Sequence, residues 1–195
     1  MILRTSTILR ETYETKISLD LNLDGNGESI IQTGIGFLDH MLTLFAFHSG
    51  INLEINCEGD LEVDDHHTTE DIGIALGKAL HEALGNKIGI NRYGSSYIPM
   101  DETLARVVVD FSGRPFLIYN DRTIRDRIGK VDTQNFKEFF KALSSEAKMN
   151  LHMDVLYGEN DHHKIEALFK AFGRSIKEAI KVSSTKLPST KGTLS

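Results

Sequence analysis

Asp65-His66-His67-Thr68-Thr69-Glu70 and Asp161-His162-His163-Lys164-Ile165-Glu166 are one motif written twice, 96 residues apart (162 minus 66). The correspondence runs on at the same offset, pairing Gly77 with Gly173, Leu80 with Ile176, Glu82 with Glu178 and Ala83 with Ala179. Upstream, Asn52-Leu53 and Asn150-Leu151 are related by 98, so the loop between differs by two residues. Such a pattern is the mark of internal duplication, and it predicts two similar halves rather than one irregular domain.

Each half is read outward from its motif. Thr68 to Leu84 places Ile72, Ala75, Leu76, Ala79 and Leu80 at helical spacing and meets Gly85, a helix stop. Phe37 to His48 reads as a shorter helix ended by Gly50, and Ile51 to Cys57 as a strand. Ser18 to Leu23 alternates polar and apolar, and Asp24-Gly25-Asn26-Gly27 then predicts a hairpin to Ser29–Gln32. In the second half Leu104 to Phe111, Phe116 to Tyr119 and Met149 to Val155 read as strands, with helices over Thr133 to Ala147 and Lys164 to Ile180. The expected fold class is α+β, with duplicated β-β-α-β-α halves and helices on one face of each sheet. The half-repeats are placed at residues 1–92 and 93–182, followed by a tail at 183–195.

Five of the eight histidines fall in the motifs or at His40. A lone histidine is more often a surface or core residue than a ligand, but a duplicated His-His-x-x-Glu at helix starts points to metal binding. Side chains three apart on a helix converge, while adjacent ones diverge by about 100°. His67 with Glu70 and His163 with Glu166 are therefore expected to share ions, and His66 and His162 to reach across to the other motif's ion. Adding 98 to His40 lands on Glu138, a further ligand pair. The expected sites are His40, His67, Glu70 and His162 for one metal, and Glu138, His163, Glu166 and His66 for its twin. Imidazoles and carboxylates without thiolate suit Mn, Fe, Co, Ni or Zn, and open positions for substrate favour an octahedral ion such as manganese.

Composition excludes other classes. The chain has 195 residues, 40% hydrophobic, and no uninterrupted apolar run near the roughly 20 residues of a membrane span. Its N-terminus has no signal-peptide pattern, so a cytoplasmic location is expected. A net charge of -6 without a basic run argues against nucleic acid as a partner. The single cysteine, Cys57, sits in a strand-like run and is read as a buried structural thiol.

GFLDHML, DDHHTTEDIGIALG, GINRYG, MDETL, DFSGRPFL and NDHHKIEALFKAFGRS, in this order along almost the whole chain, closely resemble the imidazoleglycerol-phosphate dehydratase family of histidine biosynthesis. The resemblance implies a duplicated fold of the ribosomal-protein-S5-domain-2-like type. It also implies a homo-oligomeric shell of 24 subunits and two manganese ions per active site at subunit interfaces. The family's ligands fall on the eight positions above, although relatives commonly carry histidine where this chain has Glu138. Substrate contacts are implied at Glu14, His40, His48, His66, Glu70, Arg92, Arg114, His162, Lys170, Ser189, Thr190 and Lys191. Of these, Arg92, Arg114, Lys170 and Lys191 are the phosphate-binding basic residues, suited to a dianion. Some relatives carry a fused histidinol-phosphatase domain, for which this chain has no room.

Dehydration of that phosphorylated imidazole requires loss of a carbon-bound proton with no carbonyl beside it, so the imidazole itself must be the electron sink. With both ring nitrogens on metal ions, the ring would become an imidazolate and, on loss of hydroxide, a diazafulvene. Glu14 is the expected proton-transfer residue. Two rivals stand beside this reading. A dinuclear metallohydrolase would need a carboxylate bridging ions roughly 3.5 to 4 Å apart, and a structural metal protein would have closed sites and no use for the basic residues.

Overall fold

Alternation of buried apolar with exposed polar residues builds the sheets. The computed structural model describes residues 3–194, so the outermost ends of the first half-repeat and of the tail lie outside it. The first half runs β1 (Thr5–Glu11), β2 (Thr15–Asn22), β3 (Ser29–Gln32), α1 (Gly36–Ser49), β4 (Asn52–Gly59) and α2 (His66–Leu84). Ile17, Leu19 and Leu21 of β2 and Leu53, Ile55 and Cys57 of β4 point inward. The second half runs β5 (Tyr93–Met100), β6 (Thr103–Asp110), β7 (Phe116–Asn120), a small hairpin of β8 (Arg127–Ile128) and β9 (Val131–Asp132), then α3 (Gln134–Glu146), β10 (Asn150–Tyr157) and α4 (Asp161–Ala179). Ala105, Val107 and Val109 of β6 and Leu151, Met153 and Val155 of β10 form its inward face.

The sheets have the orders β1-β2-β4-β3 and β5-β6-β10-β7, the same topology twice. In each, the outer pair is parallel and the rest antiparallel. The first strands of the halves correspond at an offset of 88, as Thr15 with Thr103 shows, whereas α1 and β4 correspond to α3 and β10 at 98. The ten extra residues are the β8–β9 insertion.

Two details differ from the sequence reading. Each half begins with a further strand, because β1 turns Ser6 and Arg10 inward around Ile8, and β5 contains Gly94, Ser95, Ser96 and Pro99. Neither shows apolar alternation, and Pro99 is tolerated because β5 is an edge strand. Nor do Ser18–Leu23 and Ser29–Gln32 form a hairpin: β4 lies between them. Asn52 Oδ1 accepts the backbone N–H groups of Asn26, Gly27 and Glu28 at 2.8, 3.1 and 3.1 Å, so the turn is pinned to β4 and leads across it.

The helices cover one face of each sheet and then pack on each other across the halves, α2 on α3 and α1 on α4. Phe45, Phe136, Phe139, Phe140, Phe169 and Phe172 fill this shared layer, with Phe45 and Phe172 stacked at 5.0 Å. Gly77 and Gly173 admit the close approach. A Cβ on Gly77 would lie 2.6 Å from the Leu143 carbonyl oxygen, and one on Gly173 would lie 2.9 Å from that of Phe45. Phe45 and Leu143 are themselves a pair at the 98 offset, so both contacts are one contact made twice.

Replacing either glycine with alanine should force the helices apart at a cost of about 1–3 kcal/mol. Melting should fall by about 2–4 °C per kcal/mol in a chain of this size, and melting temperatures unchanged in both variants would refute the packing argument. A pH effect is expected at Asp154. Burial pushes its carboxyl up, but hydrogen bonds from Arg106 and Asn120, both 2.8 Å, outweigh this and hold it below the ordinary range. Its stabilisation is therefore present above the unfolded pKa of about 3.9 and lost as pH falls through the lower folded value. Asp154→Asn should be less stable than wild type near neutrality, by no more than about 1 kcal/mol, and should converge with it in acid denaturation curves.

Candidate active site

Asp39 fixes the start of α1 by accepting the backbone N–H and the hydroxyl of Thr33 at 2.9 and 2.5 Å, and His40 follows it. Because α1 packs on α4, His40 meets the first turn of that helix, where Asn160 caps the His162 N–H at 2.9 Å. His40 Nε2 lies 3.6 Å and His162 Nε2 3.1 Å from the same Glu166 Oε2. The three ligand atoms fall within 4.8 Å of one another. Glu166 is 8% exposed while both imidazoles are far more open, so the cluster faces solvent on its histidine side. Lys170 Nζ stands 2.6 Å from Glu166 Oε1. Burial pushes the Glu166 carboxyl up, but Lys170, His162 and His40 outweigh it and keep it ionised below the usual range.

The duplication maps these three residues onto Glu138, His66 and Glu70. His66 Nε2 lies 3.3 Å from Glu70 Oε2, and His66 and Glu138 line one cavity of about 630 Å³ with Asn135, Lys137 and Tyr119. Lys141 holds Glu138 at 2.9 Å.

The second histidine of each motif turns elsewhere. His67 places Nδ1 2.9 Å from Asp60 and Nε2 3.6 Å from Glu14. The Asp60 hydrogen bond raises its pKa, against a smaller opposing effect of burial. His163 places Nδ1 2.8 Å from Glu102 and Nε2 3.9 Å from Asp101. Glu102 is held far below the ordinary carboxylate range by the Asn160 amide and by His163.

Within one chain, then, the expected pairs His67 with Glu70 and His163 with Glu166 are not formed. The glutamates meet His66 and His162 instead. At about 100° per residue, four residues subtend about 40° on a helix and three about 60°, and the carboxylates of Asp60 and Glu102 draw the second histidines aside. His162 does meet His40, and His66 does share a cavity with Glu138, as the crossed reading expected of those two.

Three residues that shape the site were missed in the sequence: Asp60, Glu102 and Asn135. Asn135 Oδ1 takes His66 Nδ1 at 3.1 Å while its own Nδ2 donates to Asp65 at 3.0 Å. Only Glu102 left a signal, as the residue matching Glu14 at the 88 offset. Together these three give His66, His67 and His163 an oxygen acceptor at Nδ1, which leaves Nε2 as the lone-pair nitrogen. That is how imidazoles are oriented toward a cation, so the donor set fits a divalent transition metal.

The remaining implied contacts are dispersed along the chain. Arg92 gives Nε and Nη2 to Asp110 at 2.6 and 3.1 Å and Nη1 to the Pro188 carbonyl at 3.0 Å, keeping two N–H donors free. That bond ties the tail to the second sheet, next to Ser189, Thr190 and Lys191, of which Lys191 donates its N–H to Ser189 Oγ at 3.2 Å. Arg114 is exposed. His48, in the last turn of α1, has its pKa lowered by burial and by the cations Lys170 and Arg174. Cys57 is buried in β4, and burial pushes its thiol up to about 11, which suits a structural role. No helix among the described residues is long and apolar enough to cross a membrane.

A family model of imidazoleglycerol-phosphate dehydratase matches residues 33–176. The enzyme of that name from Exiguobacterium sp. is 58% identical over 191 residues, covering 97% of this chain and 98% of that one. Its counterpart from Clostridioides difficile is 53% identical over 192 residues, covering 98% of this chain and 100% of that one. The crystal structure of the Staphylococcus aureus enzyme superposes with a TM-score of 0.84 at 46% identity, covering 92% of this chain and 99% of that one. Sequence and architecture thus agree along nearly the whole length, and the chain belongs to the imidazoleglycerol-phosphate dehydratase family of hydro-lyases.

Proposed function

We propose that the chain dehydrates imidazoleglycerol phosphate to imidazoleacetol phosphate in histidine biosynthesis, with two manganese ions per active site and in a homo-oligomer of 24 subunits. The observation that carries the reading is the histidine–carboxylate cluster of His40, His162 and Glu166, together with its duplicated positions, where His66 lies 3.3 Å from Glu70 and shares a cavity with Glu138. His67 and His163, turned away from their own chain's clusters, are the ligands that a neighbouring subunit's sites would receive. When bound, the ions would act as Lewis acids on the substrate's imidazole, making the ring an electron sink.

The chain's residues account for the rest. Glu14 is 52% exposed beside His67 Nε2, and a carboxylate there is placed to take the carbon-bound proton. Loss of that proton and of the neighbouring hydroxide, through a diazafulvene, yields water and an enol, which becomes the ketone of the product. Lys170, Arg92, Arg114, Ser189, Thr190 and Lys191 supply donors for the phosphate. With the two free N–H groups of its guanidinium, Arg92 can bind a phosphate oxygen without surrendering Asp110.

Stripping metal with a chelator should abolish turnover, and manganese should restore it. Full activity in protein shown to be metal-free by elemental analysis would overturn the proposal. Ligand substitutions should sort by cluster. His40→Ala and Glu166→Gln should empty one metal position, and His66→Ala and Glu138→Gln the other, as read from anomalous-scattering occupancies. If His66→Ala and Glu166→Gln emptied the same position, the assignment of His66 and Glu166 to separate clusters would fail.

A further inference from the structure

The β5–β6 turn carries Asp101 and Glu102, and Glu102 follows Glu14 by 88 residues (102 minus 14), the offset relating β2 to β6. The two glutamates occupy duplicated positions in different circumstances. Among the described residues the Glu14 carboxylate has no hydrogen bond, only His67 Nε2 at 3.6 Å. Glu102 is fully engaged. Its Oε1 accepts the Asn160 N–H at 2.8 Å, the Glu159 N–H at 3.1 Å and the Thr103 hydroxyl at 2.9 Å, and its Oε2 faces His163 Nδ1 at 2.8 Å.

The acceptor that orients the second histidine differs between the halves. In the first, Asp60 orients His67 through Nδ1, so Glu14 has no such duty. A β-bulge between Val155 and Tyr157 moves the correspondence by one residue at the end of β10, so Gly158 matches Gly59 and the residue matching Asp60 is Glu159, whose backbone N–H donates to Glu102 Oε1 at 3.1 Å. The acceptor that His163 Nδ1 meets is instead the Glu102 carboxylate of the β5–β6 turn, which the Glu159 and Asn160 amides hold in place.

We infer that Glu102 is a positioning residue that holds His163 with Nε2 outward, and that the chain has divided its duplicated glutamates between two tasks. Glu102 orients a ligand, and Glu14 is left free to move a proton. This rests on the metal-dependent dehydration proposed above.

Glu102→Gln and Glu14→Gln test it, each as the intact assembly titrated calorimetrically with manganese. Glutamine at 102 retains an oxygen for the Asn160 and Glu159 amides but cannot also accept from His163. One class of manganese sites should weaken by about 10- to 100-fold, and turnover should recover toward wild type with excess manganese. Glu14→Gln should bind manganese as wild type does and lose about 10²- to 10⁴-fold in turnover, with no rescue by metal. Wild-type manganese affinity in Glu102→Gln would overturn the positioning role and leave the dehydration standing. A wild-type protein that binds no divalent metal would overturn both. Should Glu102→Gln fail to assemble, neutron diffraction from the manganese-loaded wild type decides the question. A proton on His163 Nδ1 facing Glu102 supports the inference, and a metal on Nδ1 or a proton on Nε2 defeats it.

Discussion

The close approach of helices from opposite halves is the constraint on which the site depends. Neither half holds a cluster alone: His40 sits on α1 of the first half while His162 and Glu166 sit on α4 of the second, and Glu138 on α3 shares a cavity with His66 on α2. These pairs meet because α1 lies on α4 and α2 on α3, which requires that nothing larger than hydrogen occupy positions 77 and 173. The phenylalanine layer supplies the attraction, each buried ring contributing about 1.5–3 kcal/mol relative to exposure. The glycines convert that attraction into a separation short enough for ligands to converge.

The motif aspartates do a second job that the helix pattern hides. Asp161 accepts the Ile124 and Arg125 amides at 3.1 and 2.8 Å, and Asp65 accepts the Asp132 amide at 2.9 Å and the Asn135 side chain. The segment containing the ten-residue insertion is therefore held between the starts of the two motif helices. It is also where the pseudo-symmetry breaks, since His66 gains an amide partner in Asn135 while His162 leans on Glu166.

Duplication was legible because it is a correlation between distant segments, and His40 with Glu138 emerged from the offset alone. Both copies of the motif and all four helices were likewise visible, because each long helix buries an apolar stripe. Strand β1 was not, since its inward face holds Ser6 and Arg10, whose burial depends on Glu82 and Asp71 from α2. Strand β5 fails the same test through Gly94, which is small because the Ser175 carbonyl oxygen would stand 2.0 Å from any Cβ. Helical spacing could say that His66 or His67 lies near Glu70, but the choice was made by Asp60, six residues before the helix in a loop of no fixed period.

The buried ion pair of Asp161 and Lys164 shows what such a site requires beyond ligands. Lys164 is 2% exposed and sits 2.7 Å from Asp161, with its Nζ also donating to the Arg122 carbonyl at 2.9 Å. A buried pair of this kind roughly breaks even against an apolar replacement, so net stability does not explain its presence. Its partners do: Asp161 and Lys164 together fasten backbone from Arg122 to Arg125 against the helix start that presents His162 and His163. In the first half the residue matching Lys164 is Thr68, and Asp65 achieves the same fastening through Asp132 and Asn135 without a cation. The function kept through duplication is thus a position, a loop held against the first turn of a ligand-bearing helix. The groups that hold it were free to diverge as long as the loop's donors and acceptors found partners.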